Sequence, residues 1–211
     1  IHKVIDNLFL NDLQAEFLQI KNSNRNKKQK LLDFQNKIAQ LSFFDPACGS
    51  GNFLTESYLS LRRLENKILS LISKQISFAD SQDDTAIQVS ISQFYGIEIN
   101  DFAVSVARTA LWIAEAQMWN ETKNIILFYG DLLPLKSYNN IIEGNALKID
   151  WREVVKPSEV NFIIGNPPFV GASMMTKEQK SEAVAIFGKV PRANSIDYVG
   201  AWYHKAVKFI Q

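Results

Sequence analysis

Cysteine, histidine and long apolar runs are all scarce in this chain of 211 residues. The single cysteine, Cys48, allows no internal disulfide and fits a reducing compartment. The two histidines, His2 and His204, lack the spacing of a zinc site, so no metal is predicted. No apolar run is long enough for a membrane helix, and the first residues lack the layout of a signal peptide. These features favour a cytoplasmic protein with no membrane partner.

An excess of charge of either sign is also lacking. The 23 lysines and arginines and 22 acidic residues give a formal net charge of +1. Domains that bind DNA alone are usually strongly basic, because phosphate neutralisation supplies most non-specific affinity. The balance therefore disfavours a module that holds DNA unaided, but allows a catalytic module with a DNA-binding companion domain. The basic stretch 21–30 is interpreted as a solvated loop, with a phosphate-contacting patch as the alternative.

Apolar patterns of helical spacing alternate with short buried strands along the chain. Helical spacing covers 1–20 and 31–41 and resumes after the first strand. The predicted strands are 42–44, 94–97, 140–142 and 160–164. This order predicts an α/β fold with a parallel, doubly wound sheet. We therefore expect an N-terminal helical segment with a basic linker at 1–41 and a catalytic core at 42–211.

Two helices and two loops complete the expected layout. Asn100 or Asp101 is predicted to cap a helix, and residues 74–92 and 121–138 are predicted loops. The inward positions of the capped helix are Val106, Ala110, Ile113 and Met118. A last helix has an apolar face of Val199, Trp202, Tyr203, Ala206, Val207 and Ile210. It reaches Gln211 without a capping residue, so both ends are expected to be cuts through a longer protein.

A glycine-rich loop directly follows the first predicted strand, in Asp45-Pro-Ala-Cys-Gly-Ser-Gly-Asn-Phe53. Gly49 and Gly51 permit positive φ and let a ligand approach the backbone closely. The helix that follows directs unpaired N–H groups at such a ligand. Asp45, at the strand end, can accept a hydrogen bond from a cationic amino group. A purely structural turn is the alternative for an isolated loop of this kind.

An acidic residue, Glu98, ends the second predicted strand. In nucleotide-binding sheets such an acid holds ribose hydroxyls; a surface glutamate is the alternative. The loop lacks the Gly-Lys-Ser/Thr of a phosphate loop, and G-x-G-x-x-G is incomplete, so a small adenosine cofactor fits best. After the third strand, Asn145 is predicted to pair with the adenine ring and Ala146 to offer a backbone N–H. A capping turn is the alternative there.

A stiff polar corner, Asn166-Pro-Pro-Phe169, follows the fourth predicted strand. Two prolines fix φ and remove two backbone donors. The Asn166 side-chain oxygen and the Pro167 carbonyl can then accept both hydrogens of a planar amine, while Phe169 stacks on its ring. A base in a duplex must be flipped out to reach such a corner. A proline-stiffened loop with a buried phenylalanine is the alternative.

These motifs resemble those of the gamma-class amino-methyltransferases of DNA, and more narrowly the MmeI-like, type IIL/IIG restriction–modification enzymes. The resemblance covers nearly the whole chain. Besides the glycine loop, its segments are Phe9-Leu-Asn-Asp-Leu13, Leu61-Arg-Arg-Leu-Glu65, Gln93-Phe-Tyr-Gly-Ile-Glu98, Gly144-Asn-Ala-Leu147, Gly165-Asn-Pro-Pro-Phe-Val-Gly171 and Ile196-Asp-Tyr-Val-Gly-Ala-Trp-Tyr203. The runs at 61–65 and 197–203 narrow it to the MmeI-like enzymes.

The resemblance implies a Rossmann-like, S-adenosylmethionine-dependent methyltransferase that modifies the N6 amine of adenine in double-stranded DNA. It implies a prokaryotic cytoplasmic protein, with recognition and endonuclease domains elsewhere in the full-length chain. The implied cofactor-binding residues are Asp45, Pro46, Ala47, Gly49, Gly51, Asn52, Phe53, Glu98, Ile99, Asn145 and Ala146. The implied catalytic residues are Asn166, Pro167, Pro168 and Phe169.

Three alternatives remain compatible with the residues. Enzymes that methylate RNA bases or protein glutamine have a similar Asn-Pro-Pro corner, but commonly lack the runs at 61–65 and 197–203. A non-catalytic, cofactor-binding scaffold would be expected to lose the glycine loop or the corner, and both are intact here. Cytosine as the target base is disfavoured because Ser-Pro-Pro is its more usual corner. Cys48 is not predicted to be a nucleophile, since it lies in the glycine loop.

Overall fold

A computed structural model describes residues 1–73, 87–126, 138–188 and 190–211. The chain divides into two compact units. The first comprises 1–41, 52–93 and 109–138, and the second comprises 42–51, 94–108 and 139–211. The predicted loops at 74–92 and 121–138 lie largely outside the described residues. Where 87–93 is described, the segment is partly buried through Val89 and Ile91 and ends in a 3₁₀ turn, Ile91–Gln93.

The first unit is built from helices. The bounds are α1 (His2–Ile5), a π-helical segment (Asp6–Leu10), α2 (Asn11–Asn22), α3 (Lys27–Ala39) and α4 (Asn52–Ser73). The predicted helices over 1–20 and 31–41 are confirmed. The basic stretch is less of a loop than predicted, because α3 begins at Lys27 and the connection shrinks to 23–26.

An ion pair is buried inside the first unit, between Arg62 and Glu65 on α4, and neither side chain has exposed surface. Glu65 also accepts hydrogen bonds from the Gln35 amide on α3 and from the N–H of Gln88, both at 2.7 Å. Arg62 donates to the Thr122 hydroxyl at 2.8 Å. The run 61–65 therefore has a structural role, since it connects helices to the segment that follows residue 86.

A parallel four-stranded sheet forms the centre of the second unit. Its strands are β1 (Phe43–Asp45), β2 (Phe94–Glu98), β3 (Ile141–Glu143) and β4 (Phe162–Ile163), in the order β3-β2-β1-β4. The predicted α/β fold with a parallel sheet is confirmed. The strand order reverses at β1, and in open α/β sheets ligands bind at the carboxyl ends of the strands beside such a switch point.

Two predicted helical faces are wrong in part. On α5 (Asp101–Lys123) the buried apolar positions are Val104, Ala107, Leu111, Ala114 and Met118. Of the predicted face only Met118 is fully buried, and Ile113 is 53% exposed. Apolar residues occur around most of this helix, so spacing alone fits several faces. The predicted cap is confirmed, because the Asn100 side chain accepts the N–H of Ala103 at 3.0 Å.

The last helix, α7 (Gly200–Ile210), buries Ala201, Trp202 and Phe209. Three of its predicted inward residues, Tyr203, Val207 and Ile210, are more than half exposed instead. The ring of Phe209 packs against Trp151, which contacts Phe44 on β1 edge-on at 5.1 Å between ring centroids.

α6 (Lys177–Phe187) was not predicted above. It begins with a capping box, in which Thr176 accepts the N–H of Gln179 at 3.2 Å and Gln179 accepts the N–H of Thr176 at 3.0 Å. Within the described ranges, no helix combines the length and the apolar character that a bilayer span requires.

Candidate active site

A cleft of about 420 Å³ opens in the second unit at the carboxyl ends of the strands. It is lined by residues that follow or end all four strands, and by residues of α6 and the 197–203 run. The lining residues are Pro46, Ala47, Ile97, Glu98, Ile99, Gly144, Asn145, Ala146, Asn166, Pro168, Gln179, Tyr198 and Trp202. The cleft therefore brings the predicted cofactor motifs together with the Asn-Pro-Pro corner.

The glycine loop uses its two glycines in different ways. Gly49 has φ +54°, and its N–H donates to the Glu98 carboxylate at 2.8 Å. Gly51 has φ +77°, and a Cβ there would lie 2.9 Å from the Cβ of Ala107. Gly51 is thus required both by its backbone conformation and by close packing. Neither glycine is among the residues that line the cleft, so their predicted contact with a cofactor stays a prediction.

The side chain of Glu98 is fixed at the edge of the cleft. One carboxylate oxygen accepts the Gly49 N–H, and the other accepts the N–H of Asn100 at 3.0 Å. A carboxylate offers about four lone pairs, so each oxygen keeps one for a ligand hydroxyl. Glu98 is therefore held in place at the cleft by two backbone N–H groups, and its contact with ribose hydroxyls stays a prediction.

Asp45 lies at the end of β1 and is 1% exposed. Its carboxylate accepts the N–H of Ala47 at 3.0 Å and packs against Gly165, where a Cβ would clash. Burial raises the pKa of Asp45 to about 7; the Ala47 hydrogen bond opposes this and the charge of Glu98 adds to it. Asp45 therefore lies behind Pro46 and Ala47 rather than in the cleft wall, and its contact with a cationic amino group stays a prediction.

The Asn-Pro-Pro corner presents its side chains outward. Asn166 and Pro168 are exposed in the cleft, Pro167 is half-buried, and Phe169 is 73% exposed. This exposure contradicts the alternative of a structural loop that buries its phenylalanine. The chain after the corner is anchored, because the carbonyl of Val170 accepts the N–H of Tyr198 at 2.9 Å.

Asn145 contributes to the cleft wall with both ends of its amide engaged. Its oxygen accepts the N–H of Leu147 at 2.9 Å, and its NH₂ group donates to Glu182 on α6 at 2.9 Å. The turn given above as the alternative is therefore present, but the same side chain also faces the cleft.

Gln179, Tyr198 and Trp202 line the cleft and were not among the predicted site residues. The rings of Tyr198 and Trp202 pack edge-on, with 5.0 Å between their centroids. The Trp202 indole N–H donates to the carbonyl of Pro46 at 3.2 Å. The run 197–203 resembles the family's sequence, but its pattern alone does not indicate a position in the cleft. The capping box at Thr176 was the available signal for α6 and hence for Gln179.

Two further predicted cofactor residues, Asn52 and Phe53, begin α4 in the first unit, and their role stays a prediction. Cys48 is 6% exposed, and burial together with the charges of Asp45 and Glu98 raises the pKa of its thiol, which disfavours the nucleophilic thiolate. In the described part of the chain, no three histidine, cysteine or acidic side chains are grouped as metal ligands.

Comparison with known proteins finds one matching family model and relatives that are described as methyltransferases. The family model for the MmeI DNA-methyltransferase domain matches residues 20–211. "DNA methyltransferase A" of Bacillus subtilis (strain 168) is 40% identical over 212 residues, which is 99% of this chain and 23% of that protein. A "putative type II restriction enzyme and methyltransferase" of Methanocaldococcus jannaschii is 25% identical over 169 residues, 78% of this chain and 14% of that protein.

A solved structure of the type IIL restriction–modification enzyme MmeI in complex with DNA superimposes with a TM-score of 0.88. It is 42% identical, and the match covers 99% of this chain and 27% of that chain. The chain thus spans about a quarter or less of the length of these relatives. Because the family match runs over 20–211 and the fold agrees, the chain belongs to the family of MmeI DNA-methyltransferase domains.

Proposed function

We propose that this chain transfers a methyl group from S-adenosylmethionine to the N6 amine of adenine in double-stranded DNA. The observation that carries the proposal is the single cleft shared by Glu98, Asn145, Asn166 and Pro168. It places groups suited to an adenosine cofactor beside groups suited to a planar amine. The chain would act as one module of a longer restriction–modification protein.

The chemistry of the cleft wall fits the cofactor. A volume of about 420 Å³ lies within the range of small-molecule sites. Ile99 and Ala146 offer apolar surface to a purine, Glu98 offers lone pairs to ribose hydroxyls, and Asn145 offers an amide oxygen to the purine edge. S-adenosylmethionine, when bound, supplies an electrophilic methyl group on a sulfonium.

The corner would hold the target base. The Asn166 side-chain oxygen and the Pro167 carbonyl accept the two amine hydrogens, which keeps the nitrogen lone pair directed at the incoming methyl group. Phe169, already 73% exposed, stacks on the flipped base without first leaving a core. Transfer would be direct, with no covalent enzyme intermediate: the bond from N6 to the methyl carbon would form as the bond from the sulfonium to that carbon breaks, S-adenosylhomocysteine would leave the cleft, and one amine proton would pass to solvent.

Family membership favours DNA over RNA bases and protein glutamine as the substrate. The intact corner and glycine loop favour an enzyme over a non-catalytic scaffold. The choice of adenine over cytosine as the target base rests on the resemblance of the Asn-Pro-Pro corner to that of the adenine-modifying enzymes. We place sequence recognition and cleavage in other parts of the full-length chain, because this module is nearly neutral and short relative to its relatives.

The experiment incubates the full-length parent with isotope-labelled S-adenosylmethionine and mixed-sequence DNA, followed by nucleoside mass spectrometry. We expect label in N6-methyladenine. Label in N4-methylcytosine would overturn the base assignment while keeping the chemistry. Cofactor binding without any labelled DNA nucleoside would overturn the substrate assignment.

A further inference from the structure

Glu182 on α6 accepts hydrogen bonds from two residues that line the cleft, Asn145 and Tyr198, but does not line the cleft itself. Its side chain is 9% exposed. One carboxylate oxygen accepts from the Asn145 amide at 2.9 Å and from the Lys148 ammonium at 3.0 Å. The other oxygen accepts from the hydroxyl of Tyr198. Asn145 and Tyr198 both line the cleft, whereas Glu182 and Lys148 do not.

The carboxyl group of Glu182 is ionised in this environment. Burial alone raises its pKa, but the hydrogen bonds from Tyr198, Lys148 and Asn145 outweigh burial, and the net pKa is lowered. An ionised carboxylate accepts hydrogen bonds and cannot donate them. Every neighbour that bonds to Glu182 must therefore present a proton to it.

This requirement determines which atoms of Asn145 and Tyr198 are left to accept hydrogen bonds in the cleft. Asn145 turns its NH₂ group to Glu182, so its amide oxygen is left for the N–H of Leu147 and for one further donor. Tyr198 gives its only hydroxyl proton to Glu182, so its oxygen can only accept from a ligand. The amide oxygen of Asn145 and the hydroxyl oxygen of Tyr198 are thus left as acceptors for a bound molecule, and the Tyr198 hydroxyl offers it no donor.

We infer that Glu182 is a positioning residue that makes Asn145 and Tyr198 hydrogen-bond acceptors, so that the cleft selects a purine nucleoside with a 6-amino group over one with a 6-oxo group. This inference rests on the proposed use of an adenosine cofactor and names the residue that sets its base selectivity. A 6-amino group can donate hydrogen bonds to the oxygens of Asn145 and Tyr198. A 6-oxo group is itself an acceptor, so it cannot bond to these oxygens.

The test measures the dissociation constants of S-adenosylhomocysteine and S-inosylhomocysteine for the full-length parent by calorimetry. The wild-type protein should prefer the adenosyl compound by about tenfold or more, the effect of one unsatisfied polar group in a partly closed site. In Glu182→Gln the preference should fall several-fold. A glutamine offers one acceptor and one donor, so Asn145 or Tyr198 must give it an oxygen and turn a donor to the cleft.

Glu178→Gln is the matched control. Glu178 is one turn earlier on α6, its side chain is 78% exposed, and it pairs only loosely with Lys148 at 3.6 Å. This variant should keep the wild-type preference. A loss of fold alone would weaken both ligands together, whereas the inference requires their ratio to change.

The outcomes distinguish an error in the proposed cofactor from an error in the role of Glu182. If the wild-type protein binds neither compound, the proposed cofactor is wrong. If it binds both equally, or if the preference survives in folded Glu182→Gln, the inference about Glu182 is overturned while the cofactor stands. If Glu182→Gln does not fold, Glu182→Ala takes its place, because it also removes the acceptor for Asn145 and Tyr198; an unchanged preference in that variant overturns the inference.

Discussion

Asn166 is the residue on which the proposed chemistry depends most directly. It is exposed in the cleft at the end of the β4 segment, between Gly165 and two prolines. Replacing it with alanine removes one acceptor of the amine hydrogens and leaves the cofactor wall intact. We expect Asn166→Ala to lower methyl transfer about 100-fold or more, the usual cost of one preorganised polar group, with unchanged binding of S-adenosylmethionine.

A surface asparagine of the same unit serves as the control for this prediction. Asn194 is exposed in a 3₁₀ turn and does not line the cleft. Asn194→Ala should retain wild-type turnover. Equal turnover in both variants would remove Asn166 from the reaction.

Asp45 predicts a dependence of stability on pH. Its pKa is raised from 3.8 to about 7 in the folded protein, so the folded state keeps a proton that the unfolded state releases. The stabilisation from protonated Asp45 is present below pH 3.8 and is lost as the pH rises through about 7. Above that pH the buried, ionised carboxylate lowers the free energy of unfolding by at most about 4 kcal/mol.

Asp45→Asn mimics the protonated side chain and can still accept the N–H of Ala47. The variant should gain stability relative to wild type as the pH is raised from about 5 to about 8. Thermal unfolding of the parent protein at these pH values measures the difference. A difference that is flat across the range would mean that Asp45 titrates normally.

At the scale of elements, the glycine loop allows a paired test of backbone strain against packing. Gly49 and Gly51 both have positive φ, but only at Gly51 would a Cβ meet a neighbour, Ala107 on α5. Gly49→Ala should cost about 1 kcal/mol of stability from strain alone. Gly51→Ala should cost about 1 to 3 kcal/mol more, because overpacking is added.

Denaturant unfolding of the two variants gives the comparison directly. The order of the two costs matters more than their sizes, since both substitutions add the same methyl group to the same loop. A larger loss in Gly49→Ala than in Gly51→Ala would contradict the close approach of β1's loop to α5.

The buried pair on α4 allows a second matched comparison, between adjacent arginines. Arg62 has no exposed surface and is paired with Glu65, whereas Arg63 is 53% exposed and lies 3.6 Å from Glu56. Arg62→Ala leaves a buried carboxylate uncompensated and should cost about 3 to 5 kcal/mol. Arg63→Ala should cost under about 1 kcal/mol.

Hydrogen–deuterium exchange locates this effect. Glu65 accepts the N–H groups of Gln88 and Val89, so these amides should lose protection in Arg62→Ala and keep it in Arg63→Ala. Equal protection in both variants would show that the pair does not hold the segment in place.

The strand ends were predictable from sequence because each motif is contiguous with its strand. The predicted strand at 94–97 is β2 (Phe94–Glu98), and 140–142 is β3 (Ile141–Glu143) within one residue. Glu98, Asn145 and Asn166 therefore reach the cleft as expected. The orientation of α5 was not predictable, because its apolar residues satisfy several helical faces and packing selects one.

The positions of Tyr198 and Trp202 in the cleft were not predictable from sequence, for a different reason. Tyr198 and Trp202 come after an unpredicted helix, and nothing in their local sequence says that they return to the strand ends. Their position depends on tertiary contacts, such as the indole of Trp202 with the carbonyl of Pro46, 156 residues earlier. Hydrophobic periodicity carries no information about contacts of this range.

At the scale of the whole molecule, the nearly neutral charge supports the proposed separation of methyl transfer from DNA binding. With a net charge of +1, this module contributes little to non-specific attraction of DNA. Its one basic stretch, 21–30, lies at the junction of α2 and α3, where the Lys30 ammonium donates to the Ser23 hydroxyl at 2.8 Å. The near-neutral charge favours the solvated interpretation of this stretch over a phosphate-contacting patch.

The salt dependence of DNA binding by the full-length parent distinguishes the two interpretations. Each phosphate contact that is lost reduces the slope of log K against log salt by about 0.9. Lys21, Arg25 and Lys30 are exposed in this stretch, and changing all three to glutamine should leave the slope unchanged within about one contact. A reduction of about two to three would instead place DNA phosphates on the α2–α3 junction, and the near-neutral module would then share in holding the duplex through one local patch.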